Sequence, residues 1–446
     1  MKFPLATDAQ LAVDRGTVCR MAHHVSRSVY DRLTERLNRF PQGAPPSERL
    51  YAILEMLFSE REAALVSVLP IRPFTAAKAA EIWKTGEAEA RRTLEALASR
   101  ALLLDIERED GGVEYVLPPP MAGFFEFSMM RVREDLDQKA LAELFYEYLN
   151  VEEDFVRALF AGGETQLGRA FVHEPALPAG DALHVLDYER ASEVVRTARH
   201  RGVGRCYCRH KMEHVGRACA APQDICMTFD TSAASLVRHG HARSVDVAEG
   251  LDLLARAWEE GLVQFGENVR ESVNFICNCC GCCCEAMIAA RRFAAMHPIH
   301  TTPFLPAVDD GRCNGCEKCV RACPVEAMVA VSANDPRRPK RTVARVDVQR
   351  CLGCGVCLRS CAPGALALAE RGPRKLTPRD GAHRAVLMAI ERGKLQDLVF
   401  DNRLLWSHRA LAAMLGAVLR LPPAKRLLAK EQVRSRYLEA LLDRIG

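Results

Sequence analysis

The spacing of apolar residues changes character several times along this chain. Ser47 to Phe58 carries apolar positions at helical intervals, and Ser59-Glu-Arg-Glu62 is a capping-box sequence that predicts a new helix start. Further helices are predicted over Thr75 to Trp83 and Gly86 to Arg100; in the second, Ala90, Leu94, Leu97 and Ala101 share a face. The period then shortens. Leu102 to Ile106 and Val113 to Leu117 flank Asp110-Gly-Gly112, the signal of a hairpin. Residues 131–200 read as mostly helical. Asp246 and Glu249 cap a later helix with Val247, Leu251, Leu254, Trp258 and Leu262 on its face and Gly261 at its end. Residues 373–446 read as a helical tail.

Helices followed by a hairpin follow the order of a winged helix, so residues 47–130 are expected to form a winged-helix-like domain. Its last helix sets Glu87, Glu89 and Glu95 against Arg91, Arg92 and Arg100, whereas nucleic-acid binders present a basic face to phosphates. DNA binding is therefore disfavoured, and a module that docks or packs against protein is expected. Residues 1–46 read as an N-terminal helix and a linker, Pro41-Gln-Gly-Ala-Pro-Pro46. The segment Asn402 to Gly446 holds nine Arg or Lys against three acids. A basic apolar segment can touch a membrane surface or a partner, although packing on the protein is the plainer reading.

Charge adds little: the formal net charge is +4 over 446 residues and implies no particular partner. No run of about 18 apolar residues suits a membrane span. The N-terminus lacks a secretory apolar core, so a cytoplasmic location is expected. Cysteine changes the picture. There are 19, of which ten lie between Cys206 and Cys284, eight between Cys313 and Cys361, and Cys19 stands alone. A chain this long can bury an ordinary core without a disulfide scaffold, so clustered thiols imply metal and a reducing compartment.

The C-terminal eight form two runs. Cys313-Asn-Gly-Cys316-Glu-Lys-Cys319-Val-Arg-Ala-Cys323-Pro324 and Cys351-Leu-Gly-Cys354-Gly-Val-Cys357-Leu-Arg-Ser-Cys361-Ala-Pro363 both spell C-x2-C-x2-C-x3-C and lie 38 residues apart in register. Three thiolates at such intervals sit on one tight loop and can bind three irons of one cube, while the fourth, at a helix start, points away. Over residues 304–370 the chain resembles the bacterial-type dicluster ferredoxins. That resemblance implies two 4Fe-4S clusters, one held by Cys313, Cys316, Cys319 and Cys361 and the other by Cys351, Cys354, Cys357 and Cys323. It also gives Gly315, Gly353 and Gly355 the role of letting backbone amides approach cluster sulfides, and Val320, Val325, Val356 and Leu358 that of excluding water. Ala362 before the proline departs from the pattern and affects only the local turn. Residues 301–372 are thus expected to form a ferredoxin-like domain.

The central region is less determined. Cys206, Cys208, Cys219 and Cys226 follow C-x-C-x10-C-x6-C, with Gly202, Gly204, Gly216 and Pro222 read as turns, and Cys277, Cys279, Cys280, Cys282, Cys283 and Cys284 place six thiols in eight residues. Such density is an oxidation liability unless metal protects the sulfurs. In one reading the first four hold a 4Fe-4S cluster and four of the later six hold another. In a second, the thiols share one enlarged or non-cubane site. A third makes two of them a redox dithiol, and zinc is a further alternative. Adjacent cysteines on an extended segment point to opposite sides, so neighbours cannot all reach one metal. His210, His214, His297 and His300 are candidate ligands or proton donors that more plainly suit supporting or surface places. Arg205, Arg209 and Arg217 could stabilise reduced sulfur centres. The region resembles Cys-rich modules fused to ferredoxins in redox proteins of anaerobic metabolism.

No nicotinamide or flavin fingerprint, Walker loop or radical-SAM triplet C-x3-C-x2-C is present. The expected fold class is α+β and mostly helical, with a winged-helix-like domain, a helical Cys-rich metal-binding domain over 131–300 and a small two-cluster ferredoxin domain. The expected function is electron transfer, as an iron–sulfur protein or an iron–sulfur subunit of an anaerobic oxidoreductase working with a redox partner protein. Its two ferredoxin-type clusters would exchange electrons with one or two further clusters in the central domain. A reductase with a catalytic Cys-rich site, or a redox-sensing winged-helix regulator, is the alternative.

Overall fold

The computed structural model describes residues 29–160, 163–177, 185–372, 377–400, 412 and 414. Cys19, residues 1–28 of the segment expected to hold the N-terminal helix and nearly all of the basic segment 402–446 lie outside the described residues, while residues 29–39 are helical.

The helix starts are set by side-chain caps. Ser47 caps α1 (Glu48–Leu57) through the Leu50 amide, and Ser59 and Glu62 form a reciprocal capping box on α2 (Glu60–Ser67). A short strand β1 (Phe74–Thr75) leads into α3 (Ala76–Trp83), and α4 (Glu87–Ser99) buries Ala90, Leu94, Leu97 and Ala98. Strands β2 (Leu104–Glu107) and β3 (Val113–Val116) form the expected hairpin, with Gly111 at φ +79° in its turn. β1 adds to β3, giving a three-stranded sheet of order β1-β3-β2. The charges of α4 are paired locally, Arg91 with Glu87 at 3.0 Å and Glu89 with Arg61 at 3.1 Å.

The segment expected as a linker is instead buried. Gln42 and Ala44 are covered. Asn38 bonds both the amide and the carbonyl of Ala44, while Tyr148 and Arg392 donate to the carbonyls of Pro45 and Pro41, each at 2.8 Å. Prolines remove amide donors, so the remaining carbonyls are satisfied by side chains.

Residues 131–300 correct the expectation of a helical domain. Helix α5 (Gln138–Tyr146) opens the region, but its centre is an antiparallel sheet of six strands. These are β4 (Gly168–Ala170), β5 (Arg201–Arg205), β6 (Asp224–Phe229), β7 (Arg243–Ser244), β8 (Val263–Glu267) and β9 (Phe275–Cys279), in the order β4-β8-β9-β6-β5-β7. The strands are short, and cysteines and glycines occupy positions where β-branched residues would normally signal a strand. Gly202 and Gly204 lie within β5, not in turns. At Gly204 a Cβ would stand 2.5 Å from the Met130 methyl and 3.2 Å from the His241 carbonyl, so a larger residue would need Met130 to swing aside and the His241 backbone to give slightly. Around the sheet lie α6 (Tyr207–His214), α7 (Asp230–Arg238), α8 (Val247–Glu259) and α9 (Glu285–Arg292).

The N-terminal unit joins the central sheet through Asp105 of β2, which accepts from Ser235 and Arg238 of α7 at 2.5 Å each and lies 3.1 Å from His239. Burial opposes ionisation of this carboxyl, but the Ser235 hydroxyl and Arg238 guanidinium, with His239, hold it below its ordinary value. A carboxyl lowered in the folded state stabilises above its unfolded value, and that contribution is lost as pH falls through the lower folded value. Asp105→Asn is therefore expected to destabilise the protein by about 1–3 kcal/mol near neutral pH. The deficit relative to wild type should shrink below about pH 4. Denaturant unfolding against pH measures both; a deficit that does not change with pH would contradict the assignment.

The C-terminal domain consists of two antiparallel two-stranded ladders. β10 (Phe304–Val308) pairs with β13 (Leu366–Glu370), and β11 (Met328–Ser332) pairs with β12 (Thr342–Val346). Helices α10 (Lys318–Ala322) and α11 (Val356–Arg359) pack against each other between them. Helix α12 (Gly381–Glu391), expected within a tail, is held to the central domain, with Glu391 accepting from Thr165 at 2.7 Å and 3.0 Å and Arg384 pairing with Glu267 at 2.8 Å. Among the described residues no helix is long and apolar enough to cross a membrane.

Candidate metal centres

The eight C-terminal thiols line two separate hollows. Cys313, Cys316, Cys319 and Cys361 face one, together with Val308, Val320 and Leu366. Cys323, Cys351, Cys354 and Cys357 face the other, with Val325, Leu352 and Val356. Each run thus lends its fourth cysteine to the opposite group. The two crossing sulfurs are held alike: Cys323 accepts from the Ala327 amide and Cys361 from the Ala365 amide, both at 3.2 Å. Gly315 and Gly353 adopt φ +71° and +73° at equivalent places. A Cβ on Gly315 would meet the Thr342 carbonyl at 2.5 Å, so the loop closes there only with glycine.

The hollows differ in burial. Cys316 is exposed, whereas Cys351 and Cys357 are buried. Burial pushes the Cys354 thiol up to about 12. The inner hollow is pressed onto the central domain. The His173 amide donates to the Cys354 carbonyl at 3.0 Å, Thr302 donates to the Gly353 carbonyl at 2.8 Å, and a Cβ on Gly355 would come 2.8 Å from that of Ala176. His173 itself is buried, which lowers its pKa to about 4 and leaves it neutral.

The ten central thiols divide into six and four. Cys206 precedes α6 and Cys208 lies in its first turn; Cys226 is on β6; Cys277 and Cys279 are two apart on β9 and so share a face; Cys284 precedes α9. These six form a closed circuit of contacts: 206 to 208, 208 to 284, 284 to 279, 279 to 277, 277 to 226 and 226 back to 206. The Cys284–Cys279 sulfurs are 3.2 Å apart. The remaining thiols, Cys219, Cys280, Cys282 and Cys283, lie within 4.8 Å of one another.

This corrects the grouping of Cys219 with Cys206, Cys208 and Cys226. α6 intervenes and carries the chain about 12 Å along its axis before Gly216 turns it. Within 277–284 the expected alternation holds in part: Cys279 and Cys280 face different groups, as do Cys283 and Cys284, but adjacent Cys282 and Cys283 lie in a turn and join the same group.

Of the three arginines considered, only Arg209 faces sulfur. Arg205 is tied to Glu213 and Gln223, and Arg217 to Tyr146. Arg209 is 1 % exposed and donates to the carbonyls of Pro222 at 2.6 Å and Asn278 at 2.7 Å, while its Nε has no partner. Burial works against its charge, but Cys206, Cys280, Cys226 and Cys279 surround it and hold it protonated. His210 bonds the Met129 carbonyl at 2.8 Å and lies 3.2 Å from His214, and no histidine belongs to the mutually close group of metal-ligand atoms found among the described residues. The Gln166 side chain donates to the His297 carbonyl, and His300 bridges the backbone of Arg169.

Sequence reasoning missed several groups beside the six-thiol chamber. Glu126 sits near Cys277, Cys284 and Cys206, and burial followed by these thiols raises its pKa. The buried hydroxyl of Tyr207 has no hydrogen-bond partner. Lys211 of α6 and Glu285 of α9 form an ion pair, 0 % and 6 % exposed at their side chains, which Asn150 completes by donating to Glu285 at 2.7 Å. An acid inside Phe124-Phe-Glu-Phe127 was the only sequence signal of the first; the others depend on burial alone.

Paired four-thiol hollows on two related ladders, with exchanged fourth ligands, define an iron–sulfur domain of ferredoxin type. Residues 312–375 match the family described as the 4Fe-4S dicluster domain, so the chain carries such a domain at its C-terminal side. No curated protein and no solved structure matches the chain.

Proposed function

We propose that the chain is a cytoplasmic iron–sulfur electron-transfer protein, or the iron–sulfur subunit of an anaerobic oxidoreductase, joining a dicluster ferredoxin domain to a buried thiolate centre. Cys313, Cys316, Cys319 and Cys361 would hold the outer cluster, and Cys323, Cys351, Cys354 and Cys357 the inner one. Bound there, 4Fe-4S clusters supply reversible one-electron storage. The chain's own residues set where electrons enter and leave. Exposed Cys316 marks the face open to a redox partner protein.

One observation carries the reading. Cys351, Cys279 and Cys284 are buried in one continuous apolar core, against which Cys323, Cys354, Cys208 and Cys277 also pack. The same core thus reaches both the inner hollow and the six-thiol chamber, and between them Gly281 of the β9–α9 loop packs on Pro324, next to Cys323. The N-terminal unit has the strand order and hairpin of a winged helix, and its locally paired arginines support a protein-docking role over DNA binding. Stepwise reduction of the anaerobically prepared full chain tests the proposal. Uptake of more than about two electrons is expected, because two ferredoxin-type clusters accept one each. Uptake that stops there would remove the central thiols from electron transfer.

A second reading is favoured by the polar lining of the chamber. Six thiols exceed the four that a cubane needs, and Glu126, the Tyr207 hydroxyl and Arg209 Nε lie beside them. Such a chamber suits a reductase site, detected as a change in its spectroscopic signal on adding small ligands.

A further inference from the structure

The second thiol group has a geometry of its own. Cys282 and Cys283 sulfurs are 3.7 Å apart, and Cys283 and Cys219 are 3.8 Å apart. All four sulfurs lie within 4.8 Å of each other. A tetrahedron around one metal with bonds of about 2.3 Å to sulfur has edges of about 3.8 Å. Thiolates at the corners of an iron–sulfur cube stand on the order of 6 Å apart, because the cube lies between them. The ferredoxin thiols provide an internal contrast: all eight are described, yet none joins such a compact group, and they surround open hollows instead.

We infer that Cys219, Cys280, Cys282 and Cys283 form a mononuclear tetrathiolate site that binds a single zinc or iron ion, distinct from any cubane and from the six-thiol chamber. Four sulfur ligands and a closed coordination shell are the chemistry of a structural metal. The position explains its use. Three ligands belong to the loop between β9 and α9, and the fourth reaches in from the loop after α6. Fixing this loop on one side leaves Cys279 and Cys284 facing the chamber on the other. The same loop carries Gly281, where a Cβ would stand 2.5 Å from the Pro324 carbonyl, next to Cys323 of the inner hollow. The ion thus clamps a loop that touches both the chamber and the ferredoxin domain. The inference does not depend on electrons reaching the chamber.

Metal and acid-labile sulfide are measured on the anaerobically purified full chain and on Cys219→Ser and Cys282→Ser. Each variant is expected to lose about one metal atom per chain and no sulfide. Zinc loss identifies a redox-silent clamp; iron loss identifies a rubredoxin-like centre with a high-spin ferric signal. Loss of about four irons with about four sulfides would overturn the inference in favour of a cubane. Loss of no metal would overturn it as well. If the variants fail to fold, X-ray absorption at the zinc and iron edges of the wild-type chain decides. A four-sulfur shell at about 2.3 Å without iron neighbours around the zinc, or a matching mononuclear iron fraction, is expected. Absence of both from the wild-type spectra would refute the site.

Discussion

Replacing Cys354 by alanine is expected to empty the inner ferredoxin-type site and cut the central thiols off from reduction through the C-terminal domain. Cys354 lies in the hollow that abuts the central core, its carbonyl receives the His173 amide, and its thiol is pushed up to about 12 by burial. No other thiol in that hollow is positioned to replace it. The variant should lose about four irons and about four sulfides. On mixing with a reduced protein donor too large to reach the chamber, the central signal should no longer develop with the wild-type time course. Cys316→Ala is the control. It alters the exposed hollow, and the inner cluster should persist in its signal. A central site reduced as fast in Cys354→Ala as in wild type would show that electrons take another path.

The second large effect concerns the scaffold. Lys211→Met is expected to destabilise the protein by about 3–5 kcal/mol, because it strands Glu285 as an uncompensated charge in a buried site. The pair joins the last turn of α6 to the first turn of α9, two helices whose N-terminal ends present Cys206, Cys208 and Cys284 to the chamber. The loss should therefore appear both in denaturant unfolding and in poorer retention of metal by the central thiols. The double variant Lys211→Met/Glu285→Met should recover most of the stability, since replacing both charges removes the stranded one. A single variant within about 1 kcal/mol of wild type would mean that solvent or another cation reaches Glu285.

The two kinds of site differ in how far they could be read from the sequence. The ferredoxin octet was legible because its ligand spacing is local, and the resemblance to dicluster ferredoxins that this spacing carries implied the exchange of Cys323 and Cys361. The capping box at Ser59 and the hairpin at Gly111 were legible for the same reason. The central sheet was not. β5 reads Arg-Gly-Val-Gly-Arg, and β9 ends in Cys-Asn-Cys, so neither shows the alternation of a half-buried strand. Its partners are fixed by close approaches such as Gly204 to Met130, which only the fold reveals. Pairing of Cys219 with the later thiols was hidden likewise, because the length of α6 and the register of β6 with β9 decide it. Tyr207 and Lys211 resemble ordinary surface residues in a polar helix, and burial alone gives them a role; burial likewise separates Arg209 from Arg205 and Arg217, which the sequence offers on equal terms.

Iron and acid-labile sulfide, counted on the anaerobically purified full chain together with the EPR spectrum of its reduced form, test the central claim most directly. About eight irons and about eight sulfides are expected from the C-terminal hollows, giving the spectrum of two interacting reduced clusters. Additional iron and sulfide, with a further signal, are expected and should disappear when Cys206, Cys226 and Cys277 are replaced by alanine. A total of no more than about eight irons, unchanged by those replacements, would contradict an iron–sulfur role for the six-thiol chamber.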